Sequence, residues 1–489
     1  MSIEAKFLPT RGMPEEDILK QMEEAADHDV RWRDGRVFSL VFDPGQEILE
    51  LSKKAYTTFF SENGLNPAAF PSLRKFEIEV VSMVASILGG DADVVGNMTS
   101  GGTESILMAV KTARERGRDK NARNTRPEMV LPVSAHPAFD KAAHYFGVHA
   151  VHVPVGKDLR ADVKAMRKAV NRHTILMVGS APAYPHGVVD PIGELAEIAR
   201  QKDILFHVDA CVGGMILPFI RTLGYPIPHF DFAVPGVTSM SVDLHKYGYA
   251  AKGASVVLYR NPKLRRYQYF AYTDWPGGIY VSPTMTGTRP GGAIAAAWAI
   301  LHRLGYEGYQ DIAREVMGAT RRLRAGIERI DGVYVLGDPH ACIMAIASDA
   351  VDIYEVGDKM TEKGWHLDRQ QFPPSLHLTV NRAHVKSAGQ FLEDLRDAVR
   401  ASRKEPMERL IDRSKLMMAS TVARILPSRV VTKITEVASE KFGIDSGEFP
   451  KRSAAMYGMM ASLPNRGDLQ TLVIDALDKM TRPTRPGGK

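Results

Sequence analysis

Cysteine is almost missing: the 489 residues contain two, Cys211 and Cys342, far apart and in apolar company. A disulfide-stapled fold is excluded, and so is a thiol-based metal site, because neither cysteine has neighbours at metal-ligand spacing. Both thiols are expected to be buried, in a reducing compartment. Long apolar runs are missing too. None approaches the ~18 residues of a spanning helix, and the opening MSIEAKFLPTRG has no signal-peptide core. These absences predict a cytoplasmic chain without a transmembrane segment. Charge of one sign is scarce: 63 basic side chains against 57 acidic leave a formal +6, scattered along the chain. That argues against a dedicated nucleic-acid surface but is compatible with an acidic ligand or an anionic membrane surface. No internal repeat and no low-complexity block is present.

What is there is ordinary globular material, 44% hydrophobic and 25% charged. The length exceeds what one simple core holds, so two or three packed units are expected. An N-terminal segment, 1–62, opens with the acidic, helix-prone PEEDILKQMEEAADHD and continues as RWRDGRVFSLVFD. A large domain follows over 63–305. It begins with a turn-rich stretch, then an amphipathic helix from Phe70 onwards. Within it EMVLPVS, HAVHVPV, TILMVGSA, DILFHVDA, FAVPGV and SVVLYR read as strands, while KAAHYFG, DVKAMRKAV and PIGELAEIARQK read as helices. Strands alternating with helices imply crossover connections and a mostly parallel sheet covered on both faces. From about Gly305 the texture changes to a long charged helix, DIAREVMGATRRLRAGIERI, then strand-like YVLGDP, ACIMAIAS and HLTVN. That predicts a smaller α+β domain over 306–489, its last ~85 residues a helical, Met-rich extension whose methionines serve as core filler.

Three motifs carry chemistry. TSGGTES (99–105) stands at the mouth of a helix. Its glycines let backbone amides approach a ligand, Thr103 adds a hydroxyl, and a helix N-terminus favours an anion. A phosphate cradle is one reading and a plain capped loop the other. FHVDACVGG (206–214) ends a strand on Asp209, where ligands gather in open α/β sheets; a carboxylate capping the next helix is the alternative. SVDLHKYGYAAKGASVVLY (241–259) places Lys246 after a histidine and before a Tyr-Gly turn, on a short constrained loop. Such a loop suits a lysine that attacks a carbonyl, although most lysines are solvated surface residues.

The order of glycine cradle, VDA and HK resembles the group II decarboxylase family of fold-type I pyridoxal-5′-phosphate (PLP) enzymes. FPSLRKFEIEVVSM, SAHPAFDKAA, SAPAYPHGVVDPI, YGYAAKGASVVLY, TGTRPGG and AAMYGMMASLPNRGDLQTLVIDALD extend the likeness over nearly the whole chain, towards the sphingosine-1-phosphate lyase branch. The resemblance implies an aspartate-aminotransferase-like α/β fold with a mostly parallel seven-stranded sheet. It implies PLP carried covalently on Lys246, with Asp209 at the ring nitrogen and His136 over the ring face. It also implies that His245, Gly102 and Thr103 hold the cofactor phosphate, and that Gly287 and Thr288 reach it from the neighbouring subunit of a homodimer. Lys252 would be the lyase-type second lysine, facing the substrate phosphate or helping proton transfer, with a solvated cation as the alternative. Tyr184 and Asn63 would line the substrate cleft. Two positions depart from the lyase pattern: Phe42 stands where a tyrosine is expected, and Asn66 where a histidine is expected. Both belong to the substrate side, so cofactor binding is untouched by them. The implied activity is Cα–Cβ cleavage of a phosphorylated long-chain amino alcohol to a fatty aldehyde and phosphoethanolamine. Amino-acid decarboxylation is the alternative activity, and a catalytically weak regulatory relative the alternative class.

Overall fold

The computed structural model describes residues 8–403 and 466–483. Helix α1 (Glu15–Ala26) buries none of its residues, and α2 (Gln46–Thr58) follows. In α3 (Pro71–Ile87) a proline with its φ already set for a helix opens the first turn, and Leu73, Val80, Val81, Val84 and Ala85 face the core. Then come β1 (Val95–Thr99), α4 (Gly102–Lys120), β2 (Glu128–Pro132), α5 (Ala138–Phe146), β3 (His149–Val153), α6 (Val163–Ala169), β4 (Thr174–Ser180), α7 (Ile192–Gln201), β5 (Leu205–Asp209), α8 (Leu217–Thr222), β6 (Ser239–Asp243) and β7 (Ser255–Tyr259). The seven strands form one sheet in the order β1-β7-β6-β5-β4-β2-β3, antiparallel only where β7 pairs with β1 and β6. The expected seven-stranded, mostly parallel sheet is therefore present. Strands β4 to β7 are buried at every position, which is why they carry apolar runs rather than alternation.

Two expectations within the sheet need correction. FAVPGV is a series of turns, because Pro235 and Gly236 (φ +95°) bend the chain. The strand there is the serine-containing SMSVD just beyond. VGNMT, with its glycine and asparagine, gave no strand signal and yet forms β1; a side chain at Gly96 would collide with the Val257 carbonyl of β7.

After α9 (Pro262–Arg265) a hairpin, β8 (Phe270–Tyr272) and β9 (Tyr280–Ser282), leads into the long α10 (Gly291–Glu328), which breaks at Gly305 (φ 55°). Strands β10 (Tyr334–Val335), β11 (Ile343–Ala347), β12 (Asp368–Gln371) and β13 (Pro374–Thr379) form an antiparallel sheet in the order β10-β11-β13-β12. Helices α11 (Ile353–Glu362) and α12 (His384–Ala401) accompany it. The polar edge strand β12 was not legible in the sequence. Of the expected helical extension only α13 (Arg466–Thr481) lies within the described residues; the rest falls outside them.

The segment RVFSLVFD is held by the four-stranded sheet and α12. Phe38 N–H donates to the His366 carbonyl, Thr379 N–H donates to the Phe38 carbonyl, and the Phe38 ring stacks on His384 at 4.0 Å. Burial pushes His207, His377 and His384 each down to about 4. Each is neutral when folded, so below the ordinary 6.5 the unfolded chain binds more protons and stability falls as pH falls. Each depressed imidazole contributes up to about 3 kcal/mol, present above 6.5 and lost by about pH 4. The thermal midpoint is expected to drop steeply between pH 6.5 and 4; a flat profile over that window would contradict the buried neutral rings.

Candidate active site

Strands β1, β6, β5, β4 and β2 run in one direction, because β7 reverses between β1 and β6. Their C-terminal ends share one edge of the sheet, where ligands bind in open α/β folds. The loops at that edge carry the sequence motifs: Ser100 and Gly101 after β1, His136 after β2, the stretch to Tyr184 after β4, Asp209 closing β5, and Lys246 three residues beyond β6.

Lys246 Nζ lies 2.9 Å from Asp243 Oδ2, and Asp243 is buried. Burial pulls the lysine down, but the Asp243 charge and hydrogen bond together with the nearby Cys211 and Asp209 outweigh it, and the ammonium is pushed up to about 12. Burial likewise opposes the Asp243 charge, and Lys246 with His245 still brings that carboxyl below its ordinary value. His245 points Nδ1 at the Ala254 carbonyl, 2.8 Å away, and its Cε1 would sit 3.7 Å from a side chain on Gly101. The histidine is thus laid against the glycine turn at the N-terminus of α4. A Cβ on Gly102 would stand 2.7 Å from Cys211 Sγ and 2.8 Å from Asp243 Oδ1, so only glycine fits. Thr103 is exposed in the first turn of α4.

Asp209 Oδ1 accepts from Cys211 N–H at 3.1 Å and from the Ser241 hydroxyl at 3.3 Å. Its Oδ2 has no donor among the described residues. His136 Nδ1 accepts from Ala138 N–H at 3.1 Å, at the start of α5, and the ring is exposed. Tyr184 stacks on His377 at 4.1 Å and donates to Asp368 Oδ2 at 2.8 Å, so β12 and β13 orient its hydroxyl. Burial, then Asp368, raises that phenol above its ordinary value. Lys252 donates to the Leu40 carbonyl at 2.7 Å and stands 5.8 Å over the Phe42 ring, which packs edge-on against Tyr247. Desolvation and then the Lys246 charge lower the Lys252 ammonium.

Segment 63–66 lies against loop 287–290 within the chain. Asn63 pairs with Pro290, Gly64 N–H donates to the Arg289 carbonyl, and Arg289 is ion-paired with Glu77. Asn66 is exposed and caps Ala68 N–H with its own Oδ1, and Gly287 faces the Tyr280 hydroxyl. Two acidic residues escaped the sequence reading. Glu104 accepts from Ser100 N–H at 2.7 Å and from Met285 N–H at 2.8 Å, tying the glycine turn to the TGTRPGG loop. Asp243 is the counter-ion of Lys246; its place three residues earlier in DLHK was the available signal.

The pyridoxal-dependent decarboxylase conserved domain matches residues 3–345. Sphingosine-1-phosphate lyase from Oryza sativa is 47% identical over 407 residues, covering 82% of this chain and 75% of that protein. The chain belongs to the pyridoxal-dependent decarboxylase family, on the branch of the sphingosine-1-phosphate lyases. The Dictyostelium discoideum lyase is 43% identical over 97% of this chain and 82% of its own. A solved Burkholderia pseudomallei sphingosine-1-phosphate lyase superposes with a TM-score of 0.79 at 40% identity, over 85% of this chain and 97% of that one. Glutamate decarboxylase from Lactobacillus brevis, at 19% identity and a TM-score of 0.72, shares the fold.

Pyridoxal 5′-phosphate is therefore the cofactor, and the sheet edge fits it. Buried polar atoms without partners among the described residues lie along that edge, namely Ser134 Oγ, Ser180 Oγ and Asp243 Oδ1, as buried groups do where a polar ligand belongs. The side-chain-free turn at the head of α4 leaves amides for a phosphate, and the open Oδ2 of Asp209 suits a protonated ring nitrogen.

Proposed function

We propose that the protein cleaves the Cα–Cβ bond of a phosphorylated long-chain amino alcohol of the sphingosine-1-phosphate kind, giving a fatty aldehyde and phosphoethanolamine. What carries this reading is Lys252, a second lysine six positions beyond Lys246, braced by the Leu40 carbonyl and the Phe42 ring. A carboxylate-bearing amino acid has no phosphate for such a cation; a phosphorylated substrate has. The likeness to lyases from rice, slime mould and a bacterium supports it.

Bound PLP supplies an electron sink for the pair released when a bond to the amine-bearing carbon breaks. In our reading Lys246 would hold the cofactor covalently, and its amine, when free, would carry protons. Asp209 would hold the ring nitrogen, His136 would cover the ring, and His245, Gly102 and Thr103 would bind the phosphate. Net, the β-hydroxyl loses one proton and Cα gains one. Lys246 Nζ, Tyr184 Oη and the depressed Lys252 Nζ are the groups able to hold them. Lys252, gripping the substrate phosphate, would orient the substrate and so select the bond that breaks. Where the lyase pattern has a tyrosine, Phe42 keeps Lys252 in place through its ring face.

Two copies of the chain complete the site in this reading. The hairpin before the Gly287–Thr288 loop exposes Phe270, Tyr272, Trp275, Ile279 and Val281, an apolar patch that a monomer rarely leaves bare. A second copy covering it would bring Gly287 and Thr288 towards the cofactor phosphate. A cytoplasmic site of action accords with two buried free thiols and with the lack, among the described residues, of a helix able to cross a membrane.

Lys252→Met tests the phosphate role. It is expected to raise KM for a phosphorylated long-chain base about tenfold or more, with a smaller fall in kcat, and to leave KM for the unphosphorylated base unchanged. An equal loss on both bases would show that Lys252 does not read the phosphate.

A further inference from the structure

His207 lies two residues before Asp209 on β5, on the same side of the strand, and is fully buried. Its Nε2 is 3.1 Å from Ser241 Oγ and its Nδ1 is 2.9 Å from Ser239 Oγ. Both serines lie on β6, paired in register beside β5. Ser241 Oγ in turn donates to Asp209 Oδ1. A hydroxyl has one proton. Ser241 gives that proton to a carboxylate that can only accept, so it must receive one from His207, which fixes the ring as the Nε2–H tautomer. Nδ1 is left as an acceptor, and the Ser239 hydroxyl supplies its proton. The direction of the chain is determined from end to end: Ser239, His207, Ser241, Asp209. Phe139 of α5, three residues after His136, packs edge-on against the imidazole at 5.8 Å and closes the remaining side.

We propose that His207 is a positioning residue for the cofactor: through Ser241 it fixes the Asp209 carboxylate so that Oδ2 faces the ring nitrogen and keeps it protonated. Four polar side chains inside a sheet buried on both faces are costly unless each is partnered. An apolar residue at 207 would serve packing alone equally well. The chain of donors ends on the one oxygen whose sister is open to a ligand. Burial, which pushes the imidazole down to about 4, keeps it in this neutral, directional form across the working pH range.

The inference rests on Asp209 being the partner of the ring nitrogen, so Asp209→Asn is measured beside the His207 variants. Apoenzyme is reconstituted with PLP labelled with 15N in the ring. Cofactor affinity is titrated, and the ring-nitrogen chemical shift reports protonation. His207→Phe is expected to weaken cofactor binding about tenfold, the worth of one hydrogen bond to a charged group, and to move the nitrogen signal towards the unprotonated position. His207→Gln, which retains a donor for Ser241, is expected to recover both. If His207→Phe does not fold, Ser241→Ala interrupts the same chain and carries the same expectation. A protonated signal and unchanged affinity in His207→Phe or Ser241→Ala, with the signal lost in Asp209→Asn, overturns the role of His207 while Asp209 keeps its own. An unchanged signal in Asp209→Asn overturns the Asp209 assignment and this inference with it.

Discussion

Lys246→Ala is expected to yield protein with no cofactor linkage that borohydride can reduce, and with turnover lowered on the order of a thousandfold or more. Lys246 lies three residues beyond β6, paired with the Asp243 carboxylate that stands against Gly102 at the head of α4, and it feels the Asp209 charge. The same change strips Asp243 of its ion pair. A buried carboxylate left without its partner costs about 3–5 kcal/mol, so the cofactor-free variant should also melt earlier. Lys246→Arg separates the two effects. Its guanidinium can pair with Asp243 and restore stability, yet it cannot form the linkage. If borohydride still labels Lys246→Ala, the lysine assignment is wrong.

Asp209→Asn is expected to lower turnover by about a hundredfold or more while the cofactor remains attached to Lys246. The backbone N–H of Cys211 and the Ser241 hydroxyl both donate to Oδ1, so an asparagine would turn its carbonyl oxygen to them. That orientation presents an N–H, in place of a carboxylate oxygen, to the ring nitrogen. Two donors cannot face each other, so the nitrogen would lose its proton and the electron sink would weaken. Near-normal turnover with cofactor retained would refute the role.

The parts of this site legible in the sequence were those carried by short motifs. Asp209 closes the apolar run DILFHVDA, whose burial makes it a strand, whereas Lys246 was marked by the HK pair and the Tyr-Gly turn after it, since SMSVD before it is no apolar run. The TSGGTES turn was legible from its glycines at the mouth of a helix, and His136 from the family resemblance of SAHPAFDKA. What escaped was whatever depends on contact between strands. Asp243 and Ser241 look like ordinary polar residues until β5 and β6 are laid side by side. His207 reads as one more letter of a strand until Ser239 and Ser241 flank it. The bracing of Tyr184 by Asp368 spans 184 residues, beyond the reach of local pattern. FAVPGV misled because its apolar letters surround a turn, and VGNMT was passed over because close packing against β7, not propensity, makes it a strand. Phe42 was marked as a departure from the lyase pattern; its place under Lys252 could come only from the fold.

The bond that breaks decides the account most directly. Purified enzyme loaded with PLP is given a phosphorylated long-chain base and, separately, a panel of aromatic and acidic amino acids. Aldehyde, phosphoethanolamine and carbon dioxide are then quantified. The expected result is aldehyde and phosphoethanolamine in equal amounts from the phosphorylated base, with no carbon dioxide from the amino acids. Carbon dioxide from an amino acid, with no aldehyde from the phosphorylated base, would contradict the proposal and identify the protein as a decarboxylase.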